Sequence, residues 1–247
     1  ASISKLVDKA IADGMRGMAV TDHGNMMGIK EFYNYCKKVN GKRQEQGLEP
    51  FKPILGCEMY VARHKKSDRS RENGDQGGYH LIVLAKNEKG YHNLVKLVSR
   101  AWTDGFYMRP RTDRDDLEKY HEGLIVSTAC IAGEVPSKIL HDNQEGAEEA
   151  IQWYHNLFGE DYYLELQRHE VKDPNIRAAR DTFPKQQRAN RVLIEMAKKY
   201  GIKLICTNDS HFVDKENAEA HDRLICLSTN KDLDDPDRML YSKQEWF

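Results

Sequence analysis

At 247 residues the chain is long enough for one α/β barrel or a pair of small domains. Lys plus Arg number 38 against 39 Asp plus Glu, a net charge of −1. That balance excludes a dedicated electrostatic nucleic-acid binder, but not a domain of a larger nucleic-acid enzyme. No apolar run approaches the roughly 20 residues of a bilayer span, and no signal peptide opens the chain. The cysteines (Cys36, Cys57, Cys130, Cys206, Cys226) are odd in number and form no CxxC pair, which argues against a disulfide framework or zinc ribbon and for a reducing cytoplasm.

The pattern "SISKLVDKAIADG" places Ile3, Leu6, Val7, Ala10 and Ile11 at helical spacing and ends at Gly14. Because the chain starts with alanine and enters a helix directly, a strand and loop are expected upstream. "GMAVTDHG" then reads as a short buried strand, "GIKEFYNYCKKVN" as a helix, and "GKRQEQGLEPF" as a polar connection. "KPILGCEMYVAR" is a strand. Residues 64–78, charged and glycine-rich, read as a mobile surface loop or one ordered only by a ligand. "YHLIVLAKN" is a strand, "KGYHNLVKLVSRAW" a helix, and "EGLIVSTAC" a strand with Cys130 beyond its end. Two helices follow, "GEVPSKIL" and "EGAEEAIQWYHNLFG". "DYYLELQRH" is a strand, "QQRANRVLIEMAKKYG" a helix, and "IKLICTNDSHF" a strand ending in Asp209 and His211. A last helix, "AEAHDRLICLST", leads into a polar tail. Continuous apolar strands alternating with helices predict a parallel sheet covered by helices, in a single barrel-like domain.

Residues of metal-ligand type recur at the strand edges: His23, Glu58, His80, Cys130, Asp209 and His211. In a parallel barrel the carboxyl ends of the strands meet on one face, so residues distant in sequence can converge there. Imidazole, carboxylate and thiolate together suit zinc, manganese or iron, and the mixed N/O character favours a multi-metal hydrolytic site over a closed structural zinc. Each residue also has a plainer reading. His23 can cap a turn, His80 can be a satisfied core histidine, and Glu58 can pair with an arginine. Cys130 can be a small buried hydrophobe, and Asp209 the N-cap of the next helix. Gly24 lets the backbone turn away after His23. Asp22 is a candidate to orient His23 or a neighbouring ligand, and His169 a candidate for an outer or ligand role. His64, His92, His121, His141 and His155 read as solvated, and His221 as a weak candidate.

The segments "GMAVTDHGNMMGIKEFY", "ILGCEMYVA", "HLIVLAKNEKGYHNLVKLVS", "GFYMRPRTD", "EGLIVSTACIAGEVP", "YYLELQRH" and "CTNDSHFVDKENAEAHDRLICLST" together resemble the polymerase and histidinol phosphatase (PHP) domain family. The resemblance is to the branch at the amino end of bacterial replicative DNA polymerase III alpha subunits, and it runs from Ser2 to about Phe247. It implies a distorted seven-stranded (β/α) barrel with up to three divalent metals (zinc, manganese or iron) at its carboxyl face. The ligands it implies are His23, Glu58, His80, Cys130, Asp209 and His211, with Asp209, His211 and His23 as catalytic candidates. Cys130 stands where other members often have His. The family's opening His-x-His motif and first strand are absent, so the metal site is expected to be incomplete here. On the same resemblance, residues 1–230 form the PHP domain and residues 231–247 begin the connection to the polymerase core.

Three functions remain in view. One is metal-dependent phosphoester hydrolysis, as a phosphoesterase, a 3′-to-5′ exonuclease or by pyrophosphate cleavage, within a cytoplasmic replicative polymerase that supplies the nucleotidyltransferase activity and the contact with DNA. Another is a catalytically silent module that docks a proofreading exonuclease subunit or the polymerase thumb. The last is a free-standing histidinol-phosphatase-like enzyme. No polymerase carboxylate motif is visible in the chain, and no membrane association is expected.

Overall fold

The structure, a computed structural model, describes residues 1–70, 77–170, 181–235 and 238. The predicted loop at 64–78 lies outside the described residues at 71–76, and the predicted connection at 231–247 does so at 236–237 and 239–247. Among the described residues seven strands form one sheet: β1 (Gly17–Val20), β2 (Lys52–Val61), β3 (Tyr79–Ala85), β4 (Arg111–Thr112), β5 (Leu124–Ser127), β6 (Tyr162–Gln167) and β7 (Lys203–Thr207). Eight described α-helices accompany them: α1 (Ile3–Ala12), α2 (Ile29–Glu45), α3 (Glu88–Thr103), α4 (Arg114–Tyr120), α5 (Glu134–Leu140), α6 (Gln144–Phe158), α7 (Phe183–Tyr200) and α8 (Ala218–Thr229).

The strand order is β1-β2-β3-β5-β6-β7, with the two-residue β4 beside β2. The sheet curls into a half-barrel in which β1 and β7 each have one described neighbour. All pairings are parallel except those of β3, which runs against both β2 and β5. The expectation of a wholly parallel sheet is therefore corrected at β3. The connection from β2 to β3 carries no helix among the described residues, so β3 can return alongside β2 without the crossover that a parallel partner requires.

Helix periodicity explains the packing. Leu94, Leu97 and Val98 of α3 share one core with Leu117 of α4, Val83, Leu124 and Val126 of the sheet, and Ile151 and Tyr154 of α6. A smaller core joins Val7 and Ala10 of α1 to Phe32 and Cys36 of α2 and to Phe51. Asn87, Asp113 and Asn143 cap α3, α4 and α6 by accepting from the backbone N–H groups of Gly90, Asp116 and Gly146. Helix α4 escapes the sequence reading because "RDDLEKY" offers one apolar anchor, Leu117, to a seven-residue helix.

Within the predicted 64–78 loop, residues 66 and 68 are tied to the domain by hydrogen bonds. The buried Arg111 guanidinium donates to the carbonyls of Lys66 and Asp68, at 3.0 and 2.7 Å. The Lys66 backbone N–H donates to the Asp113 carboxylate at 3.0 Å, and its ammonium pairs with Asp116.

Candidate metal centre

The carboxyl ends of the parallel strands form one rim of the half-barrel, and the reversed β3 brings its amino end to the same rim. That reversal explains how His80, which opens its strand, meets residues that close theirs. In the β2–β3 register Glu58 faces Ile82 and Tyr60 faces His80. With a side-chain period of two, Glu58, Tyr60, Ile82 and His80 share one face of the sheet.

His23 reaches this face through the chain beyond β1. Its backbone forms a parallel bridge with Glu58, the Glu58 N–H donates to the Asp22 carbonyl at 3.1 Å, and the Gly24 N–H donates to the Glu58 carbonyl at 2.8 Å. Gly24 then turns with φ +66°, where a Cβ would lie 2.7 Å from Pro110 Cγ and 3.0 Å from the Tyr60 ring. Glycine is required there on both counts.

Glu58 is the hub. Its Oε1 lies 3.1 Å from His23 Nδ1 and 2.6 Å from His80 Nδ1. Burial pushes its carboxyl up, but hydrogen bonds and charge from both imidazoles outweigh burial and hold it down at about 2. The Glu58 hydrogen bond correspondingly raises His23. Cys130, three residues past β5, places Sγ 3.5 Å from His80 Nδ1, and burial pushes its thiol up. The residue before it, Ala129, has φ +57°, a left-handed conformation that non-glycine residues adopt at a cost.

Asp209 and His211 approach from the end of β7. The His211 ring lies 5.8 Å from the His23 ring between centroids. Its Nδ1 donates to the Asp209 carbonyl at 2.7 Å and lies 3.9 Å from the Asp209 carboxylate. Burial pushes the Asp209 carboxyl up; His211 pulls it down, and Glu58 and Glu165 push it up again. Asp209 has φ +50°, which Asp and Asn tolerate better than other side chains. The helix-capping alternative for Asp209 does not apply, because Asp214 caps the turn that precedes α8.

The remaining candidates separate clearly. Asp22 meets the site through its backbone carbonyl, which also accepts from Cys57 Sγ at 3.4 Å. His169 is 1% exposed and is committed elsewhere. Gln186 Nε2 donates to its Nδ1, and its Nε2 donates to the Asn208 carbonyl, both at 2.7 Å. It thus ties the end of β6 to the residue before Asp209 and positions that loop. His121 and His141 donate from Nδ1 to the carbonyls of Glu118 and Ser137, in or beside their own helices, while His64 and His92 are exposed. His155 is half-buried on α6.

Two residues matter more than sequence reasoning indicated. His221, on α8, packs its ring 5.6 Å from that of His211. The other is Glu165, buried on β6. Its carboxylate accepts from the hydroxyls of Ser127 and Thr207 and from Gln167 Nε2 at 3.0 Å. A glutamate inside the apolar strand "YYLELQ", followed at the alternate position by Gln167, was the available signal.

The donors fit a divalent transition metal by chemistry: imidazoles, carboxylates and a thiol grouped at one rim. Among the described residues, however, no three of them are arranged around a common metal position. The His23 and His80 nitrogens instead turn onto Glu58.

This pairing gives a pH signature for the metal-free protein. Glu58, lowered from 4.5 to about 2, adds stability above pH 4.5 that is lost as pH falls toward 2. His23, raised from 6.5, adds stability that is full below pH 6.5 and lost as pH rises through its folded value. With chelator present, thermal stability is expected to peak between about pH 4.5 and 6.5. Added metal should reverse the upper limb, since ligation requires neutral histidine. Melting curves across pH, with and without metal, check this; superimposable curves would contradict it.

The family described as "PHP domain" matches residues 1–169. Over all 247 residues the chain is 40% identical to DNA polymerase III subunit alpha of Borreliella burgdorferi, covering 20% of that protein. It is 40% identical to DNA polymerase III subunit alpha of Thermus aquaticus over 231 residues, 93% of this chain and 17% of that protein. The chain thus spans about one fifth of the length of the curated relatives it matches. A solved structure from Bifidobacterium adolescentis, whose description proposes a metal-dependent phosphoesterase, aligns with TM-score 0.45 and 14% identity over 84% of this chain and 82% of that one.

Proposed function

The chain belongs to the PHP domain family, and from that premise we propose that it is the phosphoester-hydrolysing, metal-binding module of a bacterial DNA polymerase III alpha subunit. The reading extends to residues 1–230 as the domain and 231–247 as the start of its connection to the polymerase core. The rest of the subunit supplies nucleotidyl transfer and the grip on DNA in the cytoplasm, with a proofreading subunit as a further partner. No described helix is long and apolar enough to cross a membrane.

One observation carries the hydrolytic reading: Glu58 joins His23 and His80, with Cys130 and His211 within ring or hydrogen-bond contact, on one strand-end rim. His23, Glu58, His80, Cys130, Asp209 and His211 would hold zinc, manganese or iron. A bound ion would supply positive charge to a phosphoryl oxygen and acidity to water. The chain's own residues do the positioning. Glu58 stays ionised and fixes two imidazoles, and Nδ1 of His211 is fixed by the Asp209 carbonyl. His23, with half its side chain exposed, is the imidazole that an incoming phosphoester meets first. The 3′-to-5′ exonuclease form of this hydrolysis extends the same proposal to the end of a DNA strand.

Asp209→Asn is the direct test, because Asn keeps the left-handed backbone while removing the charge. Manganese-dependent hydrolysis of bis(p-nitrophenyl) phosphate and of single-stranded DNA is expected to fall by more than ~100-fold, beyond the loss typical of an outer contact. Unchanged activity would refute the assignment and favour a docking module.

A further inference from the structure

Beside the rim, the "GFYMRPRTD" segment and the end of α3 present aromatic surface that the hydrolytic reading does not use. Trp102 and Phe106 stack at 5.5 Å with their planes 23° apart, and each is 45% exposed. The pair is fixed to the site: the Trp102 indole N–H donates at 2.8 Å to the carbonyl of Gly24, the residue after His23. Between Phe106 and the rim, the chain makes a tight turn. Tyr107 N–H donates to the Arg109 carbonyl at 3.0 Å, and Met108 at the tip has φ +61° and is 65% exposed. Arg109 follows, exposed, with its guanidinium 5.4 Å above the Tyr60 ring, and Tyr60 meets the His80 ring edge-on at 5.2 Å. No carboxylate among the described residues pairs with Arg109.

We propose that Trp102 and Phe106 form a stacking platform for unpaired bases of a single-stranded nucleic acid, with Arg109 on the phosphate between platform and rim. This deepens the reading of the rim as a phosphoester hydrolase and rests on it. Flat aromatic faces accept any base, whereas paired bases are already stacked and offer no free face. A guanidinium without a carboxylate partner, held over the Tyr60 ring beside His80, matches a phosphate rather than an apolar protein surface. With a net charge of −1, the chain must draw affinity from stacking more than from counterion release, so the salt dependence should be shallow.

The test is fluorescence anisotropy of a labelled oligothymidylate of about ten nucleotides, the span of a typical single-strand site, with EDTA present so that binding is read without hydrolysis. The oligonucleotide is expected to bind with a shallow salt slope, and a duplex of equal length more weakly. Trp102→Ala with Phe106→Ala should weaken binding about ten-fold or more, while Trp102→Phe, which keeps an aromatic face, should restore most of it. Equal binding by the double variant and the parent, or no binding by the parent, would overturn the platform. Hydrolysis of bis(p-nitrophenyl) phosphate is measured separately. Oligonucleotide binding through Trp102 without any hydrolysis would sink the hydrolytic reading and leave the platform standing. Hydrolysis with binding indifferent to Trp102 and Phe106 would do the reverse.

Discussion

Glu58→Gln is expected to abolish metal-dependent phosphoester hydrolysis, by more than ~100-fold, and to remove bound metal. Gln has nearly the same size, so the strand and the register around it survive. What goes is the negative charge that faces two imidazoles at 3.1 and 2.6 Å. In the metal-free protein the same change leaves His23 without the partner that raises it. Stability near pH 5.5 should fall by about 1–3 kcal/mol, the scale of a lost charge-assisted hydrogen bond. The pH optimum described above should flatten on its upper side. Urea denaturation at pH 5.5 and 8 reads both effects. A variant with full activity, or with the parent's pH dependence intact, would show that Glu58 is not the hub.

A large structural effect is expected at Gly133, beside the site. Its φ of −65° and ψ of 158° suit any residue, so the penalty for a side chain there is steric alone. A Cβ would lie 1.9 Å from the Thr128 carbonyl oxygen and 3.2 Å from that of Cys130. Backbone must move, and this is the backbone that places Cys130 beside His80. Gly133 N–H donates to the Cys130 carbonyl at 2.9 Å, and His80 N–H to the Ala132 carbonyl at 3.1 Å. Thr128 also accepts the Glu165 N–H at 2.8 Å, so the shift would reach β6. Gly133→Ala is expected to cost about 3 kcal/mol, at the upper end of overpacking effects. For a domain of this size that lowers the melting temperature by about 6–12 °C. Calorimetry decides; an unchanged melting temperature would mean that the turn relaxes freely and does not define the Cys130 position.

The elements that were legible in the sequence are those with strong local signals. Helices α3 and α7 carry long apolar stripes, and β6 and β7 are apolar runs ending in polar residues. The six candidate ligands are visible by type and, apart from Glu58 inside β2, by their place at strand edges. The hidden features depend on long-range pairing. Nothing in "YHLIVLA" shows that β3 runs backwards, yet that direction is what brings His80 to Glu58. Arg111 reads as one more basic residue, although its guanidinium is buried and holds the 64–70 segment through two carbonyls. Glu165 was obscured because a single charged residue in an apolar strand resembles a solvent-facing position. Its burial depends on hydroxyls contributed by β5 and β7. His169 was correctly placed at a strand end, but only the structure reveals Gln186 and the Asn208 carbonyl on its two nitrogens.

Whether the rim holds metal is decided by elemental metal content, by mass spectrometry, of the protein purified without chelator beside its Glu58→Gln variant. Zinc, manganese or iron is expected bound stoichiometrically by the parent and lost from the variant. A well-folded parent with no bound metal, or a variant that keeps the parent's metal, would contradict it.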